Sequence, residues 1–510
     1  MVKIVVNNVS CQIEGLDDEQ IISSLDERLS FFVQGAEFMA AYKKGWWDSK
    51  QKKWVKWDGY THLLSKTLKF KTGLLNRVVS VLANCNIDPE IIDERKDVKF
   101  GKKRKLKNIE SRDYQDRIHD ACLKNMSGIV KSCTGSGKSI SIARLIADTN
   151  IKTNIFVTSI DLLYQMHEVF EKVGIKAGVI GDGKAEVKKI NIVSIWTACA
   201  ALNKKYEAAD EEDYLAKRDR IVAKNKSKIA KAIRSAQMNL FDECHMTACK
   251  TIKDISSESK AARYVFGFSG TPWRDDGRDL EIEAVCGQTI VEVTASELIK
   301  KGWLVKPTIH LVEVPEYSGQ ATKYPTIYKE YIAENEERND LVIKATKKLV
   351  NSGKKTLILV KNIKHGELLL SMLPDDFVSY FVKGNVDSDT RNWVRQEFID
   401  GGIDVIIATI IFDQGLDLPP LDSLVLAGGG KSSGRNLQRL GRILRKYPGK
   451  KDAIAIDFID NAKYLLKHTA ARINTYRREP AFEIKLPRKM KDAQKQIKKK
   501  AKRMPKKEGW

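Results

Sequence analysis

Three short stretches carry residue types whose spacing could do chemistry. Ser132-Cys-Thr-Gly-Ser-Gly-Lys-Ser139 has the makeup of a phosphate cradle. Glycines let backbone N–H groups approach phosphate oxygens, and a following helix turns its positive end toward them. Thr134, Gly135, Ser136 and Gly137 would form the loop. Lys138 would neutralise the β- and γ-phosphates, and the Ser139 hydroxyl would ligate Mg²⁺. Ser132 stands where the strict pattern has glycine, and a Gly-Lys-Ser loop alone identifies only a nucleotide binder. In Asp242-Glu-Cys-His245 an apolar run delivers two carboxylates to a strand's carboxyl end, where α/β sheets bind ligands. Asp242 would hold the metal, and Glu243 would orient and deprotonate an attacking water. The spacing does not make His245 a metal ligand; it would sense the γ-phosphate or the other domain. In Gln438-Arg-Leu-Gly-Arg-Ile-Leu-Arg445 the three-residue spacing puts Arg442 and Arg445 on one face of an expected helix. There they could stabilise transition-state charge on a phosphate, or simply complement a helix dipole. Lying some 300 residues from the cradle, they would act by domain closure.

The elements needed to position these groups are legible as a rhythm. Short apolar runs at Asn154–Thr158, Ile190–Ser194, Met238–Asp242 and Arg263–Phe268 alternate with helical stretches, which implies a parallel sheet covered on both faces. A second series follows at Lys355–Val360, Val378–Val382, Asp404–Thr409 and Ser423–Ala427, with helices expected over 387–400 and 435–444. The charged stretch at about 204–236 interrupts the first series and reads as a polar helical insertion, either solvated or facing a polyanion. The basic run Lys99–Lys107 reads as a linker, and the Lys/Arg-dominated end of the chain as disordered when free.

The 510 residues suggest about three domains, and the net charge of +23 points to nucleic acid as the partner. No apolar stretch is long enough for a bilayer span, and the start of the chain lacks a signal-peptide layout. The eight scattered cysteines include no Cys-x-x-Cys pair, so reduced thiols and a cytoplasmic location are expected (the host's cytoplasm for a viral protein). Four of the nine tryptophans lie within Trp46–Trp57, interleaved with lysines, and Asp58-Gly59 is a hairpin signal. Trp54 and Lys56 could stack on bases and meet phosphates, or the tryptophans could form the core of a small domain.

The order of the motifs resembles superfamily 2 helicases over roughly residues 108–460. Arg112-Asp-Tyr-Gln115 is similar to the segment that reads adenine, with Gln115 on the base. Val157–Gln165, which contains Ser159 and Gln165, resembles motif Ia, and Trp196-Thr197 stands where motif Ib or Ic meets a strand. Phe268-Ser-Gly-Thr-Pro272 resembles motif III, which implies a coupling role for Ser269, Thr271 and His245. Lys361, then Thr409 to Asp417, then Gln438 to Arg445 resemble motifs IV, V and VI. By that resemblance Lys361 and Thr409 would grip the strand, Gly415 and Asp417 would touch nucleotide, and Gln438 would join the catalytic set. Asp-Glu-Cys-His, Ser-Gly-Thr-Pro-Trp-Arg and the arginine string look closest to the XPB/UvsW-like branch. That branch implies ATP and Mg²⁺ as cofactors, 3′→5′ translocation on DNA and remodelling of forks, Holliday junctions, R-loops and D-loops in repair and recombination.

The expected fold is α/β. Two RecA-like parallel-sheet domains (106–305 and 306–480) follow a small N-terminal α+β domain (1–105), and a basic tail covers 481–510. A monomer, or else an oligomer, acting on branched or forked duplex DNA is expected. Alternative readings are an RNA helicase, the motor subunit of a restriction complex, and a nucleic-acid-binding switch that uses ATP without translocating.

Overall fold

In the computed structural model, the described residues are 1–49, 52–203, 212–248, 250–274, 276–316, 319–383, 386, 388–409, 418–430 and 433–487. Backbone contacts divide the chain into two units: Met1–Cys133 with Gly137–Val293, and Thr134–Ser136 with Thr294–Trp510.

The first unit begins with a four-stranded sheet in the order Lys69–Lys71, Ser10–Glu14, Lys3–Val6, Glu90–Asp93. Alternation along Lys3–Val6 and Ser10–Glu14 sends Ile4, Val6, Cys11 and Ile13 inward. There they meet Leu25 of the helix Glu19–Arg28 and Val78 and Leu82 of the helix Leu75–Asn84. This small domain is seated on the larger sheet domain that follows. Arg77 pairs both its Nε and an Nη with the Glu283 carboxylate, at 3.0 and 2.6 Å. Ala284 joins the small domain's core. Gly73 lies so close to the Glu283 carbonyl that a Cβ there would sit 2.2 Å from it.

The basic run after this domain is irregular but not loose. Gly101, Arg104 and Lys107 donate backbone hydrogen bonds to Thr149, Ala147 and Val173.

An eight-stranded sheet follows, in the order Lys184–Ala185, Gly178–Gly181, Ile190–Ser194, Thr153–Val157, Met238–Asp242, Tyr264–Ser269, Ser127–Ser132, Thr289–Val293. Its strand pairs are parallel except that between Gly178–Gly181 and Lys184–Ala185. The central strands Thr153–Val157 and Ile190–Ser194 are buried along their whole length, as expected for a sheet covered on both faces. The helical insertion is present as Glu212–Ser235. Its last turns are more than a solvated surface: Ile229, Ala230 and Ile233 are buried in the sheet's core.

The second unit is built on seven strands in the order Ser379–Val382, Val405–Thr409, Thr356–Val360, Ser423–Val425, Ala453–Ile459, Pro307–Glu313, Glu483–Lys485, all paired in parallel. It resumes at Thr294, and there Glu479 meets the start of the helix Ala295–Lys300. Its carboxylate accepts from the backbone N–H groups of Ala295 and Ser296 at 3.3 and 2.9 Å. The basic end of the chain beyond residue 487 lies outside the described residues.

Two further expectations are corrected. Asp58-Gly59 does not join a hairpin's two strands, because Lys53–Val55 pairs backward with Trp46–Asp48 while Tyr60–His62 pairs with Ser30–Phe32. Gly59, at φ +86°, links two separate ribbons instead. Arg445 does not share a helix face with Arg442. The helix Ser433–Ile443 ends first, and Arg445 forms a β-bridge with Leu304.

Candidate nucleotide site

The strand Ser127–Ser132 leads into the turn Thr134–Ser136, and the helix Lys138–Thr149 starts directly after Gly137. Gly135 and Gly137 have φ of +84° and +76°, the left-handed values that a side chain resists. A Cβ on Gly137 would also come within 3.1 Å of the Gln115 amide nitrogen. Gln115 is therefore buried against the cradle. Its Oε1 accepts from the Arg112 backbone N–H at 3.2 Å, and Arg112 reaches the Tyr114 hydroxyl at 2.9 Å.

Next but one in the sheet, Met238–Asp242 ends at the two carboxylates. Glu243 adopts φ +51°, uncommon for a residue with a side chain and costing about 1–3 kcal/mol. The chain turns there into the 3₁₀ segment Cys244–Ala248. Glu243 Oε1 lies 3.9 Å from Lys138 Nζ, and Oε2 accepts from the Ser269 hydroxyl at 3.0 Å. His245 Nδ1 is 3.4 Å from both Glu243 Oε2 and Ser269 Oγ. The Thr271 N–H donates to Ser269 Oγ at 3.1 Å. Lys138, Glu243, His245, Ser269 and Thr271 thus meet in one cluster at the carboxyl edge of one sheet.

Charge is distributed unequally between the adjacent carboxylates. Burial, then the Glu243 charge, push Asp242 up to about 6. Burial also disfavours the Glu243 anion, but Lys138 and the hydrogen bonds from His245 and Ser269 outweigh it and hold Glu243 down at about 2. The charged neighbours thus favour the Glu243 anion. Ser139 and Asp242 offer hard oxygen donors, a hydroxyl at a helix start and a carboxylate at a strand end. This donor set suits Mg²⁺, which binds through one or two carboxylates and keeps phosphate and water in its other positions. A divalent cation would also relieve the Asp242 charge that burial disfavours.

Two supporting residues had no role in the sequence reading. Arg274 is held by Asp276, and its Nη1 donates to the His245 carbonyl at 3.1 Å, fixing the turn that carries His245. Gly267 lies beneath Cys244, where a Cβ would be 2.6 Å from the Cys244 Cβ. A glycine inside a strand was the available signal of this close approach.

The other candidates are spread over both units. Ser159 caps the helix Ile160–Lys172 by accepting from the Leu162 N–H, and Gln165 lies on that helix. The Trp196 indole donates to the Thr158 carbonyl at 3.3 Å. Thr197 is 2% exposed, which removes its side chain as a surface contact. In the second unit Lys361 is exposed and sits over the rings of Tyr328 and Tyr324, at 4.7 and 5.5 Å. Thr409 is 3% exposed. Gln438 and Arg442 lie on the helix Ser433–Ile443. Gly415 and Asp417 fall outside the described residues. Trp54 is 69% exposed, and Lys56 Nζ lies 5.7 Å from the Tyr42 ring centre.

Comparison with known proteins is consistent with this arrangement. Residues 108–274 match the family of the type III restriction enzyme res subunit, and residues 338–447 match the helicase conserved C-terminal domain. The chain is 24% identical to the ATP-dependent DNA helicase uvsW of Enterobacteria phage T4, over 90% of this chain and 94% of that one. It is 26% identical to the DNA 3′-5′ translocase XPB2 of Sulfurisphaera tokodaii, over 69% and 82% respectively. In fold it is similar to S. cerevisiae Dbp5 bound to RNA and ADP BeF3, with a TM-score of 0.51 at 15% identity over 77% of this chain and 94% of that one. The two sheet domains are thus RecA-like, and the two matched regions together are those of a helicase of the superfamily 2 kind, an ATP-dependent enzyme acting on nucleic acid.

Proposed function

We propose that the protein is a DNA-stimulated ATPase that translocates on DNA and remodels branched or forked duplexes. The observation that carries the catalytic half is the Glu243 carboxylate, held between Lys138 at 3.9 Å and Ser269 at 3.0 Å. It takes the proton of the attacking water, while Lys138 and the loop N–H groups hold the phosphates. Ser139 and Asp242 hold Mg²⁺, which when bound neutralises phosphate charge. Gln115 and Arg112 meet the base. The second unit supplies Gln438, Arg442 and Arg445, with the two arginines stabilising charge on the transferred phosphoryl group. Ser269, Thr271 and His245 report the state of the phosphate to the rest of the sheet, because they bond directly to Glu243 or to one another.

The choice of DNA is supported by the net charge of +23 and by the names of the two relatives, a DNA helicase and a DNA translocase. Ser159, Gln165, Trp196 and Lys361 serve as backbone contacts, so sequence preference is low. The N-terminal domain selects the DNA structure.

The test is the ATPase rate across single-stranded, blunt duplex, forked, four-way and RNA substrates. Forked and four-way DNA should stimulate most. Stimulation by RNA without stimulation by DNA would reject the reading, and displacement of a triplex-forming strand separates translocation from a static switch.

A further inference from the structure

The N-terminal domain carries a ribbon that its own core does not use. Strands Trp46–Asp48 and Lys53–Val55 pair in the register Trp46↔Val55, Trp47↔Trp54, Asp48↔Lys53. Trp47 and Trp54 are therefore a cross-strand pair on one face, their rings 6.5 Å apart and edge-on at 72°. Trp46 points to the opposite face. The three tryptophans are 45%, 55% and 69% exposed in chain order, so neither face of the ribbon is packed away. Trp57 is different in kind. Its indole donates to the Tyr60 carbonyl at 2.7 Å and its backbone N–H to the Ala41 carbonyl at 3.1 Å, which anchors the base of the ribbon. Gly45 allows that base to close: at φ +74°, a Cβ there would lie 2.4 Å from the Val55 carbonyl oxygen.

Three large aromatic side chains held in water on an anchored ribbon are an unsatisfied surface. What could cover it is constrained by charge. Between Lys43 and Trp57 the sequence has six lysines and one carboxylate. A neutral or basic protein surface would leave those lysines uncompensated. Unpaired bases on a phosphate backbone satisfy both features at once, since aromatic rings stack on bases of any identity and lysines track the phosphates. Base-paired duplex does not fit equally well, because its bases are already stacked and present only edges.

We infer that the ribbon is a stacking platform for unpaired bases, with Trp47 and Trp54 as its principal surface and Trp46 as a second one. This rests on the reading of the chain as a branched-DNA enzyme and deepens it: the feature the N-terminal domain recognises is single-stranded DNA exposed at a branch.

The experiment uses the full chain and fluorescence anisotropy at one fixed salt concentration. Probes are oligo(dT), a fork with unpaired arms, the same fork with abasic arms, blunt duplex and oligo(rU). The double variant Trp47→Ala/Trp54→Ala should lose roughly 10- to 100-fold on oligo(dT) and on the fork relative to blunt duplex, as expected when one or two stacked bases are lost. Wild type should bind the abasic fork about as weakly as the variant binds the normal fork, and Trp47→Phe/Trp54→Phe should recover most of the preference. Both side chains are exposed, so the alanine variant should fold; circular dichroism matching wild type checks this, and the phenylalanine pair gives a second reading.

An unchanged fork-to-duplex ratio overturns the inference. So does an equal loss on abasic and normal forks, tighter binding of oligo(rU) than of oligo(dT), or loss of a self-associated form in sedimentation, which would assign the ribbon to a second copy of the chain. The translocase reading fails differently: no DNA would stimulate ATP hydrolysis, whatever the ribbon binds.

Discussion

At Glu243, burial pushes the carboxyl toward its neutral form while Lys138, His245 and Ser269 push it toward the anion, and the charged neighbours prevail. Held between Lys138 and Ser269, this carboxylate is placed to accept the proton of the attacking water, so Glu243→Gln should lower the ATPase rate by about 10²–10⁴-fold. ATP binding should persist, since the cradle and Lys138 are untouched. Single-turnover hydrolysis alongside nucleotide binding checks this, and retained turnover would take the base role from Glu243. Asp242 goes the other way, up to about 6. A raised carboxyl binds its proton more tightly folded than unfolded, so without metal this group withdraws stability as pH rises from roughly 4 to about 6. Glu243, being depressed, contributes stability above the ordinary carboxylate value and loses it as pH falls toward about 2. Because Mg²⁺ needs the Asp242 anion and burial raises the Asp242 carboxyl, the Mg²⁺ concentration for half-maximal ATP binding should rise as the pH falls. Titrating Mg²⁺ between pH 5 and 8 checks this; Asp242→Asn should weaken Mg²⁺ binding and flatten its pH dependence.

Among the elements, the second unit depends on polar groups that its apolar strand pattern does not announce. Arg472, on the helix Leu465–Tyr476, is 1% exposed and donates to Asp457 Oδ2 at 2.8 Å and to the Phe458 carbonyl at 2.9 Å. Tyr476 donates to the same carboxylate oxygen at 2.9 Å. Removing one partner of such a pair leaves a buried charge uncompensated, so Arg472→Ala should cost about 3–5 kcal/mol. Thermal unfolding should show a lowered transition that tracks the second unit, and an unaltered curve would contradict this. The strands were legible because buried parallel strands are continuous apolar runs, which is why Met238–Asp242 and Thr356–Val360 stand near their expected bounds. Arg445 leaves the helix that its spacing from Arg442 predicts, because helical spacing says nothing about where the backbone finds a new partner. Here the Val305 N–H donates to the Leu444 carbonyl, and the helix has already stopped.

For the whole molecule, the charge of +23 acts over distances that no single motif spans. Nucleic-acid binding should release counterions, and contact with six to ten phosphates would lose about 10³–10⁵-fold in affinity between 50 and 200 mM salt. Anisotropy titrations across that range check it, and a nearly flat salt dependence would assign the lysines another purpose. The sequence by itself determined the chemistry: the cradle, the paired carboxylates and the strand–helix rhythm follow from local residue types, because backbone periodicity and phosphate affinity are local properties. Only tertiary structure decided which groups touch. It joined Ser269 to Glu243 across adjacent parallel strands, buried Thr197, and left Trp46, Trp47 and Trp54 in water. Exposure is set by what packs on a residue from elsewhere in the chain, so the same tryptophan spacing was compatible with a core or with a binding surface until the fold was known.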